Sequence, residues 1–252
     1  MSGGGGSAGT ASGRAGAGGH AGVGGRAGAG GYAGAGGRAG AGGYAGQATG
    51  GMAGFTCDTP VVPTCDRLQS FSTFGSGDFG GGIFAYGDLS FDTSDSSTFH
   101  VTGSVSNWSG FGIYLNTCST LAAYTGVSFV LSGTIASLDH PNQFQFSVSS
   151  NADSPVDAGG KRGACEGVVD EVCIAPAMDL TVNGSPQSVL WTQLSKGKPV
   201  ATLDPGQVLD FRWEVVADAT QTPFSVDLTL DDFTLLGGPN PPTDCPSPAA
   251  SP

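Results

Sequence analysis

The chain is poor in basic residues. It has 9 Lys and Arg against 21 Asp and Glu, a net charge of −12 over 252 residues. The first 54 residues hold three of those cations (Arg14, Arg26, Arg38) and no acid, so the remainder carries six cations against all 21 acids. A folded part with that surplus is a poor partner for nucleic acid phosphates. Long apolar runs are also missing: nothing approaches the ~20 residues that cross a bilayer as a helix. The start of the chain shows no apolar signal-peptide region, because Met1-Ser2-Gly3 leads directly into glycine. Glu is scarce, with only Glu166, Glu171 and Glu214. No G-x-S-x-G elbow, no H-E-x-x-H and no E-x-D-x-E strand motif occurs, and His20, His100 and His140 are scattered. Glycosidases need two placed carboxylates, so the expectation is a protein that carries out no chemistry.

Glycine is abundant but uneven. Residues 1–54 hold 25 of the 45 Gly. From Arg14 a six-residue unit repeats: Arg14-Ala-Gly-Ala-Gly-Gly, His20-Ala-Gly-Val-Gly-Gly, Arg26-Ala-Gly-Ala-Gly-Gly, then units headed by Tyr32, Arg38 and Tyr44. Such a segment has almost no apolar surface to offset the entropy of ordering it. It reads as a disordered spacer; the sharper reading is a self-associating or wall-contacting arm. The division expected is a low-complexity arm at 1–54, an acidic domain at 55–238, and a Pro-rich tail at 239–252.

Within the domain the signal has period two. Phe99 and Val101 alternate with His100 and Thr102, Phe111, Ile113 and Leu115 with Gly112 and Tyr114, and Val127, Phe129 and Leu131 form a third set. Phe144, Phe146 and Val148 alternate with Gln145 and Ser147. Leu209, Phe211, Trp213 and Val215 alternate with Asp210, Arg212 and Glu214, and Phe224 through Leu230 alternate with Ser225, Asp227 and Thr229. These are half-buried strands. Their number and the Gly, Pro, Asn and Asp between them predict an all-β, two-sheet antiparallel sandwich. Apolar parity is even to Leu230 and odd at Phe233 and Leu235, which predicts a bulge at Asp231-Asp232. Ser119–Tyr124 is the one candidate for a short helix. Residues 151–175 read as a long stapled loop.

Six cysteines (Cys57, Cys65, Cys118, Cys165, Cys173, Cys245) in an acidic, Lys-poor chain suggest disulfides and an extracellular or cell-surface location. Zinc would need tighter knuckles or nearby His. Two pairs share the spacing C-x7-C, so the simplest of 15 connectivities joins Cys57 to Cys65, Cys165 to Cys173, and Cys118 to Cys245.

The order of several motifs resembles bacterial galactose-binding-like jelly rolls, including the carbohydrate-binding modules appended to glycanases. These motifs are Trp108-Ser-Gly-Phe-Gly-Ile-Tyr-Leu115, Leu121-Ala-Ala-Tyr-Thr-Gly-Val-Ser-Phe129, Phe144-Gln-Phe-Ser-Val148, and Gly163-Ala-Cys165 with Cys173. Trp191-Thr-Gln-Leu194, Val208-Leu-Asp-Phe-Arg-Trp213 and Val226-Asp-Leu-Thr-Leu-Asp-Asp-Phe233 complete the set, and together they span roughly residues 68–236. The resemblance implies a jelly roll that binds a polysaccharide or cell-surface glycan on a concave sheet. It departs from the pattern in having no catalytic module attached and no obvious aromatic ladder.

Sugars are held by aromatic faces against pyranose C–H groups, with amides, carboxylates and guanidinium groups on the hydroxyls. By parity Tyr114, Gln145, Arg212 and Glu214 lie on the polar side of strands, and Tyr86 and Trp108 stand beside strand ends. These six are the candidate ligand-binding residues, against the plainer reading of a solvated surface. Trp213 and Trp191 read as packing. Asp231 and Asp232 resemble the acidic pair that helps hold a structural Ca²⁺ in related modules, and Asp78 could join them. The competing reading of the whole is a structural or adhesive surface protein with no sugar site.

Overall fold

The computed structural model describes residues 57–68, 71, 82–92, 94–95, 97–136, 144–156, 163–166, 172–216, 223–238 and 244–245. The arm at 1–54 with its repeats, Asp78, and all of the Pro-rich tail except Asp244 and Cys245 lie outside the described residues.

The alternating runs form strands, and they assemble into two five-stranded antiparallel sheets. The first sheet runs β1 (Gly82–Tyr86), β4 (Ser109–Ser119), β9 (Val208–Val215), β6 (Phe144–Ser150), β7 (Ala177–Asp179). The second runs β2 (Leu89–Asp92), β3 (Phe99–Val105), β10 (Phe224–Leu236), β5 (Gly126–Ile135), β8 (Pro186–Leu190). β3 lies beside β10 and β5 beside β8 in one sheet, while β4 lies beside β9 and β6 beside β7 in the other. That nested order is the winding of a jelly roll.

The inner faces meet in an aromatic core. Trp213, fully buried, stacks on Phe111 at 5.6 Å and meets the edge of Phe129 at 5.1 Å. Phe146 and Phe233 close around the same indole, at 5.1 Å and 5.9 Å. Such ring pairs contribute about 0.5–1.5 kcal/mol each beyond the area they bury. Trp191 is also packing: it is buried, and its Nε1–H donates to the carbonyl of Tyr124 at 2.8 Å.

The expected bulge is present. The pairing of β10 with β5 shifts between Asp231 and Thr234, and Asp232 takes a φ of 54° there. A second bulge was not expected. Pairing on both sides of β9 slips near Val208, so Val208 joins the main core while Leu209 turns out to pack on the Cys57–Cys118 disulfide. Two adjacent apolar residues make that change of face silent in the sequence.

Ser119–Tyr124 is not helical. Ser119 ends β4, and a turn follows in which the Tyr124 N–H donates to the Leu121 carbonyl at 2.9 Å. Six residues are too few to offset the cost of a helix nucleus. Among the described residues the one helical element is a 3-10 turn, Trp191–Gln193.

Two of the three expected disulfides are corrected. The bonds are Cys57–Cys118, Cys65–Cys245 and Cys165–Cys173. The stretch after Cys57 runs beside the end of β4, where Val61 bridges Ser119, so Cys57 meets Cys118 rather than its sequence neighbour. Arg67 bridges Asp244 in the same way, which sets Cys65 against Cys245. The short loop at Cys165–Cys173 is stapled as the spacing suggested.

Candidate functional site

The outer face of the first sheet is organised in rows that cross the strands. In one row Tyr86 pairs with Gly110, Gly110 with Glu214, Glu214 with Gln145, and Gln145 with Asp179. The next reads Phe84, Gly112, Arg212, Ser147, Ala177. The third reads Gly82, Tyr114, Asp210, Ser149. Trp108, just before β4, packs on Phe84, Tyr86 and Tyr114. The structure therefore brings all six predicted residues onto one face.

The glycines of β4 make the arrangement possible. A Cβ at Gly110 would land on the ring and hydroxyl of Tyr86, and one at Gly112 on the ring of Phe84. Without those atoms the rings of β1, an edge strand, lean across β4 toward β9. Tyr86 Oη thus reaches Glu214 two strands away and donates to Oε1 at 2.8 Å. Gln145 Nε2 and Ser147 Oγ donate to Glu214 Oε2 at 3.1 Å and 3.0 Å. Trp108 Nε1 donates in turn to Tyr86 Oη at 3.2 Å. Three donors on one carboxylate satisfy a charge that burial would otherwise penalise heavily.

A second polar group adjoins the first. Arg212 Nη2 donates to Asp210 Oδ2 at 2.8 Å, and the two groups form a close ion pair with Nε 2.7 Å from Oδ1. In the turn after β6, Asp153 accepts from the Ser150 N–H, at 3.1 Å to each oxygen, and from Ser150 Oγ at 2.6 Å. Burial pushes the Asp153 carboxyl up to about 7, with the Asp210 charge adding to the rise while Ser150 and Arg212 oppose it.

The exposure of this face differs from both sequence readings. Glu214 is 1% exposed, Tyr114 5%, Tyr86 7% and Arg212 9%, so these four are neither solvated surface nor an open platform. Tyr86 pairs with Glu214, Arg212 with Asp210, and Tyr114 packs on Phe84, which takes them out of water. Trp108 and Gln145 are half-buried, and Asp179 at the end of the first row is exposed. Phe84, Asp210 and Ser147 belong to the constellation and were missed. The signal for Phe84 was its shared parity with Tyr86; for the other two it was their shared parity with Arg212 and Gln145.

The acidic pair stands elsewhere, on β10 of the second sheet. Asp231 is half-buried and its Oδ1 accepts from the Asp232 N–H at 2.7 Å, while Asp232 is exposed. Among the described residues no three His, Cys, Asp or Glu side chains converge on a possible cation position. Calcium takes 6–8 oxygens, so these two carboxylates by themselves do not make up a site.

The chain matches no protein-family model, and no curated protein is similar to it in sequence. Solved structures similar to it include the family 11 carbohydrate-binding module of the cellulosomal cellulase Lic26A-Cel5E of Clostridium thermocellum, at 12% identity and a TM-score of 0.44, covering 71% of this chain and 97% of that one. A family 30 carbohydrate-binding module is similar at 16% identity and a TM-score of 0.37, covering 72% and 96%. The agarase AgWH50C is similar over 71% of this chain and 26% of its own, at 11% identity and a TM-score of 0.39.

Proposed function

We propose that the domain is a non-catalytic glycan-binding module working outside the cytoplasm, and that it holds a neutral polysaccharide along the row Trp108, Tyr86, Glu214, Gln145, Asp179. The observation that carries this reading is the register itself, which sets rings, amide and carboxylates in one line across five strands. The line covers four inter-strand gaps, about 19 Å. Its exposed and half-exposed members, Trp108, Gln145 and Asp179, take the first contacts; Tyr86 and Glu214 hold Trp108 and Gln145 in place. A neutral ligand suits the face, because it carries three carboxylates (Glu214, Asp210 and Asp179) to one guanidinium and the part of the chain beyond residue 54 is strongly acidic.

Two features favour binding without hydrolysis. Both oxygens of Glu214 accept from protein donors, and Asp210 is clamped by Arg212, so neither is poised as acid or nucleophile at a scissile bond. Three disulfides fit an oxidising compartment. A structural Ca²⁺ at Asp231, Asp232 and Asp78 belongs to the same proposal, supported by the bulge that carries Asp232 to the surface.

Affinity gels containing soluble β-glucan, xylan or mannan test the reading. Retardation in one of them, lost in Trp108→Ala and in Gln145→Ala, is the expected result. Absence of retardation across the panel, with self-association or capture of a protein partner, would favour the adhesive reading. Release of reducing ends would make it a glycanase.

A further inference from the structure

Cys57 and Cys65 are eight residues apart, and each is bonded to a distant part of the chain: Cys57 to Cys118, and Cys65 to Cys245 across a separation of 180 residues. All ten strands of the described residues lie between Cys65 and Cys245. Both bonds are buried, with none of the four sulfur-bearing residues more than 6% exposed, which limits access for an attacking thiol. Backbone pairing ties the same places together. The Val61 N–H donates to the Cys118 carbonyl at 2.9 Å, the Thr120 N–H to the Val61 carbonyl at 2.9 Å, and the Cys245 N–H to the Arg67 carbonyl at 2.8 Å. Gln207 Nε2 adds a bond to the Cys57 carbonyl at 3.1 Å.

We propose that the Cys65–Cys245 bond is a mechanical bypass: tension between the residues before Cys57 and the residues after Cys245 passes along Cys57–Cys65 and over one covalent bond, so that the jelly roll is relieved of load once that eight-residue path is straight. The covalent path decides this. Residues 66–244 form a closed loop in parallel with the disulfide, and a bond a few ångströms long cannot lengthen to let force entering at Cys65 reach that loop; the side entrance is Cys57–Cys118, which pulls on β4 only until Cys57–Cys65 is taut. From that point the hydrogen-bonded ladders, which would part under sustained force, carry none of it. A module strung between two attachments would keep its ring-lined face folded under drag. Before that point the Cys57–Cys118 bond and the pairing of Val61 hold the eight-residue path against the end of β4. This inference stands on the disulfides and not on the glycan reading.

Single-molecule pulling on the oxidised full chain, with handles on its first and last residues, tests it. Only the 64 residues before Cys65 and the seven after Cys245 can extend, so the expected trace saturates near about 250 Å. The largest step in it is about 30 Å, from peeling Cys57–Cys65 off β4. In Cys65→Ser/Cys245→Ser a further step of about 400 Å should appear, since Cys57–Cys118 and Cys165–Cys173 still withhold their own loops. A step of hundreds of ångströms in the oxidised wild type would overturn the proposal, as would its absence from a double variant shown by circular dichroism to be folded. If the double variant does not fold, the saturation length of the wild type decides: about 250 Å supports the bypass, and several hundred ångströms more refutes it.

Discussion

Tyr86→Phe removes a single oxygen from the candidate site. The wild-type hydroxyl donates to Glu214 Oε1 at 2.8 Å and accepts from Trp108 Nε1 at 3.2 Å. The ring itself is held by Phe84, 6.2 Å away, and by the flat seat over Gly110, so the phenylalanine should occupy the same place. What changes is the buried carboxylate, which loses one of its donors. A hydrogen bond to a charged group contributes about 1.5–3 kcal/mol. With a urea m-value of about 2 kcal/mol/M, the unfolding midpoint should fall by about 1 M at unchanged slope. Ser90→Ala, at an exposed hydroxyl on the other sheet, provides the control and should stay within about 0.5 kcal/mol. Combining Tyr86→Phe with Glu214→Gln should cost less than the two changes apart, because they break the same bond. A Tyr86→Phe midpoint indistinguishable from wild type would refute the reasoning, since it would mean that the Glu214 carboxylate draws nothing from this hydroxyl.

Other consequences can be checked on the same purified protein. Gly110→Ala sets a methyl group against the Tyr86 ring and should destabilise by about 1–3 kcal/mol in the same urea titration. Phe233→Ala opens a hole beside Phe211 and Trp213 and should cost about 3–5 kcal/mol. Asp153 sits near 3.8 when unfolded and about 7 when folded, so between those values the folded chain keeps a proton that the unfolded chain has released. Its contribution therefore falls as pH rises from 4 to 7 and is level above that; Asp153→Asn should flatten the melting temperature over this window, and an unchanged profile would reject the assignment. Calcium should raise the melting temperature in a way that Asp232→Ala abolishes, whereas identical curves with and without chelator would remove the metal from the account.

The strands that could be read in advance are the ones with long inner-face runs. Phe99–Val101, Phe111–Leu115, Val127–Leu131, Phe144–Val148, Phe211–Val215 and Phe224–Leu230 alternate cleanly because one face meets core and the other meets solvent or the polar cluster. β1, β2, β7 and β8 have three to five residues each, too few for alternation to stand out. In β1, Gly-Ile-Phe-Ala-Tyr is apolar on both faces, because Phe84 and Tyr86 lie on the outer side over Gly110 and Gly112. Parity exposed the bulge at Asp231-Asp232 but missed the one at Val208-Leu209, where both residues are apolar. It also placed Tyr114, Gln145, Arg212 and Glu214 on a common face. That Tyr86 reaches across β4 to Glu214 depends on the register of three strands, which no single segment records. The disulfides failed for a related reason: spacing favours short loops, while two of the bonds are set by where the chain ends are pinned to the sandwich.

The most direct test of the glycan reading uses the three tryptophans, which occupy different surroundings. Trp213 is in the dry core, Trp191 donates to the Tyr124 carbonyl, and Trp108 stands half-exposed at the end of the proposed binding row. Neutral β-linked hexasaccharides of glucose, xylose or mannose should be titrated into ¹⁵N-labelled protein while the three indole N–H signals are followed. The account predicts that one of these sugars moves the Trp108 signal and leaves those of Trp191 and Trp213 in place. A saturable shift elsewhere with Trp108 unmoved, or no shift with any of the three, would contradict it.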